Sequence, residues 1–380
     1  MTIHLEDMTG GALERLYYSR EQHLFGLGHT YTDDRLVHDA TVIRFGKIET
    51  RFDLDDVNRD LPDSYALRTP YSDTYTSMIV DMFDRVVVAG WGSVIDKAGG
   101  ISSIGMVQLL TTDLHAIKVK GPDDDQEGKE VLFLEPDGFF NDVCQFGMEY
   151  WVAGGTGKGY GLIIRLDNNL NEISRHLVRT YTSGRSVIKK LYRHGTGSLA
   201  LSHEVIDGKC ISVLIYLDEG GKPVSCHPTN KFVDGLVNDL VIIPDEEIYL
   251  VGTGQAESEN FAFIARIDAE LKGLSNRLVV PSEIANEGVS VVFDEKRDLF
   301  HVGYVKREKG QSDKSIVSYV HRDCLSADYE GAVKSEFVEL SEGVLLKDLV
   351  LTSSDMVIYG GRHVHENGVK PSIGSIGGTS

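Results

Sequence analysis

Seven times along this chain a short apolar run closes on a small residue, most often glycine. The runs occupy 24–28, 86–90, 151–154, 199–202, 249–252, 300–303 and 357–360. They end at Gly28, Gly90, Gly154, Ser202, Gly252, Gly303 and Gly360, at intervals of 62, 64, 48, 50, 51 and 57 residues. A polar loop follows each, then a second apolar run with a recurring position near its end: Arg44, Gln108, Arg165, Tyr216, Arg266 and, more weakly, Tyr319 and Ser375. In the fifth repeat four runs, 239–243, 248–252, 261–267 and 277–280, are rich in Val, Ile, Tyr and Phe and are split by turn residues. That pattern predicts a four-stranded antiparallel meander. The middle runs are nearly continuous in apolar character instead of alternating, as expected of strands covered on both faces.

Four-stranded sheets recurring at this period predict an all-β fold, a seven-bladed β-propeller of four-stranded antiparallel blades. The last repeat lacks an outer strand, because only 377–380 follow its run at 371–376. Ahead of the first inner strand, expected at 12–19, stands a β-like segment at 1–6. The expectation is a single domain over 1–380, with strand 1–6 completing the seventh blade and closing the ring.

Composition narrows the partners. The 380 residues carry 38 Lys+Arg against 58 Asp+Glu, a net charge of −20, with 41% hydrophobic and 25% charged residues. This is a globular composition, and its charge argues against a nucleic-acid backbone or an anionic membrane as partner. No apolar stretch reaches the roughly 18 to 20 residues of a membrane span, and the first twenty residues lack the apolar core of a secretory signal. Cys144, Cys210, Cys226 and Cys324 are widely spaced, which supports neither a disulfide framework nor a cysteine zinc site. The expectations are a cytoplasmic location, with export lacking a signal left open, a monomer, and no cofactor or metal.

Most candidate chemistry has a plainer reading. Long insertions at 49–63 and 121–129 are where a rigid scaffold holds out functional loops. Asp56, Asn58 and Asp60 have the spacing of a calcium loop, but Leu61 and Leu67 stand where glycine and glutamate are needed. The glycine-rich 154–159 segment lacks the Ser or Thr and the helix of a phosphate loop, since Gly159 follows Lys158 and a strand follows at 161–166. Trp91 and Trp151 suit core packing, and His363 with His365 share a strand face without a third metal ligand. No GlyxSerxGly elbow occurs, so no catalytic residue is assigned.

One constellation stands apart. Aligning inner strands on their downstream glycine runs brings out a recurring polar position: Arg15, Ser77, Asp142, Ser186, Asp239, Ser290 and Asp348. Inner strands line a propeller's channel, so these side chains form a candidate ligand ring near one mouth, with Asn141, Asn238 and Lys347 beside it. Three carboxylates and three hydroxyls about an axis suit a cation or a polar ligand. The competing reading is that each Asp or Ser bonds backbone amides of an adjoining loop and fixes one blade on the next, and the symmetry of the pattern favours it.

Two repeats also resemble a known family. The segments 247–271 and 150–170, each a strand, a glycine turn and a second strand ending in Arg-Ile-Asp or Arg-Leu-Asp, are similar to the bacterial delta-60 repeat of propeller proteins. The family's Pro-Asp-Gly-Lys turn is replaced here by Pro-Asp-Glu-Glu at 244–247. The resemblance implies a propeller and a bacterial interaction protein, and brings no common catalytic residues. Two functions follow: a non-catalytic scaffold that recognises a protein or glycan through loops on one face, or a channel-mouth hydrolase, lactonase or lyase using Asp142, Asp239 and Asp348.

Overall fold

The computed structural model describes residues 2–4, 11–31, 38–47, 63–67, 73–95, 101–119, 129–180, 184–231, 235–243, 247–256, 259–268, 271, 273–307, 313–325, 336–365 and 368–376. They form seven four-stranded antiparallel sheets arranged as a seven-bladed β-propeller. The inner strands, in blade order, are Gly11–Tyr18, Asp73–Val80, Gly138–Phe146, Arg185–His194, Gly235–Ile243, Glu287–Asp294 and Val344–Leu351. Thr2–His4 pairs with Gly368–Ile376 as the outermost strand of the seventh blade, with Thr2 opposite Gly374 and His4 opposite Ser372. The first and last described strands thereby close the ring. In the fifth blade the four strands are Gly235–Ile243, Glu247–Ala256, Glu259–Ile267 and Leu274–Val280, each longer than the apolar run that announces it. No helix among the described residues is long and apolar enough to cross a membrane.

The apolar runs are continuous because each sheet is sandwiched between two others. Buried side chains gather into clusters, each shared by two neighbouring blades. Phe25, Val42, Tyr75 and Val88 fill the seam between the first and second blades. Ile358 and Ile373 of the seventh meet Leu13 and Ile43 of the first. Trp151 lies in the seam between the third and fourth blades, stacked 4.5 Å from Phe146, which is the core role expected of it; Trp91 is half-buried. Burial of this kind is worth about 1.5–3 kcal/mol per large side chain and is non-directional, so it holds blades together without fixing their angle.

The recurring polar positions have local work. Arg165 reaches Glu149 and Arg266 reaches Glu247, tying third strand to second. Asp167 and Asp218, two residues after the recurring Arg165 and Tyr216, each accept two backbone N–H groups of the following turn at 2.8–2.9 Å. The 154–159 segment is the end of the strand Glu149–Thr156 and the turn that leads to Gly161–Leu166, with Gly159 at φ +81°. His363 donates to Glu342 O at 2.9 Å. The calcium-like spacing at 56–61 and most of both insertions lie outside the described residues. Among those described, no three His, Cys, Asp or Glu are grouped as a metal requires.

One buried histidine makes stability pH-dependent. His301, in the second strand of the sixth blade, is 1% exposed, and neither ring nitrogen has a hydrogen-bond partner among the described residues. Asp294 Oδ2 lies 3.9 Å away and Tyr319 packs edge-on with ring centres 5.0 Å apart. Burial drives its pKa down to about 4 from 6.5, against the opposing pull of Asp294. A lowered histidine pKa contributes stability that is fully present above 6.5 and lost as pH falls towards 4, up to about 3 kcal/mol. Replacing His301→Gln should flatten this acid limb in urea titrations; a variant whose midpoint drops as steeply as the wild type over that window refutes the assignment.

Candidate functional site: the waist of the channel

Each inner strand carries one β-bulge, at the same point in all seven blades. The extra residue is Glu14, Thr76, Asn141, Lys189, Asn238, Val289 or Lys347, and the next is Arg15, Ser77, Asp142, Lys190, Asp239, Ser290 or Asp348. A bulge re-aims the side chains that follow it. Glycine stands across from it in five blades, and Ser202 in the fourth. A Cβ on Gly28, Gly90, Gly154 or Gly252 would stand 2.0, 2.0, 1.9 and 2.0 Å from the carbonyl oxygens of Ala12, Thr74, Phe139 and Leu236. In the seventh blade Gly361 takes this place, and in the sixth the glycine has changed strands, with Gly288 facing Tyr304.

Six of the seven ring residues expected from sequence stand together. The fourth blade corrects the seventh: Ser202 pairs with Ile188, and the bulge then sets Lys190 opposite Leu201. Ser186 lies four residues upstream, fully buried, donating to Glu204 Oε1 at 2.7 Å and lying 3.2 Å from Ser202 Oγ. The signal was in the spacing. The other six residues precede their glycine by 12 or 13 positions, and that spacing before Ser202 reaches Lys190 or Lys189, not Ser186. The ring also sits midway along the inner strands, so it is the waist of the channel, not a mouth.

The waist is a closed hydrogen-bond circuit. Arg15 Nη1 donates to Ser77 Oγ at 2.7 Å and forms an ion pair with Asp142. Ser77 Oγ donates to Asp142 Oδ1 at 2.6 Å. Lys190 Nζ donates to Asp239 Oδ1 at 2.5 Å, where Tyr192 adds its hydroxyl at 2.9 Å. Ser290 Oγ lies 3.1 Å from Asp239 Oδ2 and 3.0 Å from Asp348 Oδ1. Each aspartate also takes a backbone amide from the next blade: Leu191 N to Asp142 Oδ2 at 2.7 Å, Val291 N to Asp239 Oδ2 at 3.0 Å and Leu16 N to Asp348 Oδ2 at 3.0 Å. The arrangement is therefore the blade-fixing one, drawn from neighbouring inner strands instead of loops.

Electrostatics follow from this burial. Desolvation opposes the Arg15 charge, but Asp142 and Asp348 more than offset it and hold its pKa above the ordinary arginine value. Burial and the nearby carboxylates of Asp239 and Asp142 raise the Tyr192 hydroxyl. Burial raises Asp348, assisted by Asp239 and opposed by Lys190, Arg15 and the Leu16 amide. Ser290 has one hydroxyl hydrogen and two carboxylate acceptors, Asp239 Oδ2 and Asp348 Oδ1, so it satisfies one of them at a time. Burial already pushes the Asp348 carboxyl upward, so a neutral group is tolerated at that position.

The raised Asp348 predicts unequal substitutions. Asp348→Asn keeps an amide donor for Ser290 and an oxygen for Leu16 N, so it should cost less than about 1 kcal/mol. Asp239→Asn turns one acceptor oxygen into a donor facing donors and should cost about 2–4 kcal/mol. Urea unfolding of both variants checks this, and equal losses refute it.

No protein family matches this chain's sequence, and no curated protein matches it. Solved structures match its shape. A candidate 6-phosphogluconolactonase from Bacteroides uniformis superposes with TM-score 0.52 at 12% identity, over 93% of this chain and 100% of the other. A second, from Bacteroides fragilis, gives 0.52 at 10% identity over 94% and 99%. Sqt1 from Chaetomium thermophilum gives 0.50 at 9% identity over 97% and 86%. At these identities the likeness shows a shared propeller fold and nothing of chemistry.

Proposed function

We propose that this chain is a rigid, non-catalytic scaffold that binds a protein partner through one face of the propeller, over the first three blades. The observation that carries the reading is a pair of apolar turns. Met82 and Phe83 in the second blade are 61% and 45% exposed, and Met148 in the third is 56% exposed. Met82 N bonds Gln145 Oε1 at 3.1 Å, so the two turns are neighbours. The same turn in other blades carries Arg20 and Glu21, Thr196, Lys296 and Arg297, or Ser354 and Asp355. Methionine and phenylalanine held side by side on a surface are suited to an adaptable apolar contact.

Topology puts more on this face. Inner strands end here, and so do third strands, including His38–Lys47 and Ile101–Thr111, whose long connections to Asp63–Leu67 and Leu132–Pro136 contain both sequence insertions. The short ladder of Lys118–Val119 with Lys129–Glu130 projects from the second of these connections. Against the alternative of a hydrolase or lyase at Asp142, Asp239 and Asp348 stands the engagement of all three carboxylates in bonds between blades.

Photo-crosslinking residues placed at 82 and at 148 should capture the same partner species from native extracts. The double variant Met82→Lys with Met148→Lys should lose that partner while changing stability by less than about 0.5 kcal/mol. Equal capture from a crosslinker at 296, in the sixth blade, would overturn the reading.

A further inference from the structure

The bulge residues form a second tier beside the waist, on the side from which the inner strands enter. In this tier one blade grips the next. Thr76 Oγ1 donates to Phe140 O at 2.8 Å, Asn141 Nδ2 to Ile188 O at 2.8 Å and Asn238 Nδ2 to Gly288 O at 2.7 Å, while Lys347 pairs with Glu14 at 3.1 Å. In the first three the acceptor is the carbonyl just before the next blade's bulge. The same rule assigns Lys189 the carbonyl of Val237. That oxygen is already taken, because His203 Nε2 donates to it at 2.8 Å and Ser212 Oγ lies 3.4 Å from it.

Lys189 is thus a half-buried ammonium with no hydrogen bond or ion pair to any described residue. The other cations of the channel have carboxylate partners: Arg15 has Asp142, Lys190 has Asp239 and Lys347 has Glu14. We infer that Lys189 anchors an anion site in the channel, taking the carboxylate or phosphate group of a small molecule that enters from the face where the inner strands begin. Burial, Lys190, Arg15 and Lys347 all push the Lys189 charge towards loss, and the attraction of a bound anion offsets them. In a chain of net charge −20, an unneutralised cation between low-dielectric walls focuses attraction on one spot. The site is distinct from the apolar turns, which lie on the opposite face.

The test is calorimetric titration of the full chain with inorganic phosphate and, separately, with acetate. One saturable site is expected for at least one probe, and the probe that binds tells phosphate from carboxylate. Lys189→Met should weaken it at least tenfold without lowering the melting temperature, since no bond is removed. Lys189→Arg should keep it within about threefold, and Met82→Lys, on the far face, should leave it unchanged. Saturation by neither probe, or equal affinity in Lys189→Met, overturns the inference.

Discussion

One extra residue in each inner strand organises the interior of this propeller. Without the bulge, a strand's polar positions would alternate between the two sheet faces, both of which are apolar seams. With it, the side chain after the bulge and the amide of the following residue both turn inwards. An aspartate there can then take the next blade's amide, as Asp142 takes Leu191 N and Asp239 takes Val291 N. The glycine across the strand pair belongs to the same device, because its missing Cβ leaves room for the displaced carbonyl. The seams supply attraction, and the waist supplies direction. Non-directional contacts alone tolerate a sliding blade, whereas a circuit of matched donors and acceptors does not.

The circuit also manages its own charge. Buried ions are costly unless paired and hydrogen-bonded. The two cations of the ring each meet an aspartate, and the third aspartate is the one burial pushes towards neutrality. The tier of bulge residues beside it follows the same economy in the second, third, fifth and seventh blades and departs from it in the fourth. There a histidine from the neighbouring strand fills the lysine's place on Val237 O, and the departure leaves a charge with work to do.

The fold was legible in the sequence because a two-sided sheet leaves continuous apolar runs, and their period counted the blades. Ring closure was legible from a missing strand at one end and a spare one at the other. The waist was read almost completely from the recurrence of Arg15, Ser77, Asp142, Asp239, Ser290 and Asp348. Ser186 misled because serine suited the alternation with aspartate, while the residue that fills the place, Lys190, breaks it. The height of the ring in the channel was not legible: it depends on the four or five residues by which strands such as Gly235–Ile243 extend upstream of their apolar run. Nor was the freedom of Lys189, which depends on a histidine in another strand reaching across to the next blade.

The pairing of Thr2–His4 with Gly368–Ile376 has a consequence for how the molecule is made. Thr2–His4 is made long before Gly368–Ile376, the strand it pairs with. Until Gly368–Ile376 has been made, six blades can assemble in order through local meanders, but the ring stays open and the seams flanking the gap stay wet. The newborn chain therefore passes through an arc whose two exposed blade faces are complementary to each other, and equally to those of a neighbouring arc. Closure within one molecule competes with joining between molecules, and the balance is set by how crowded the nascent chains are.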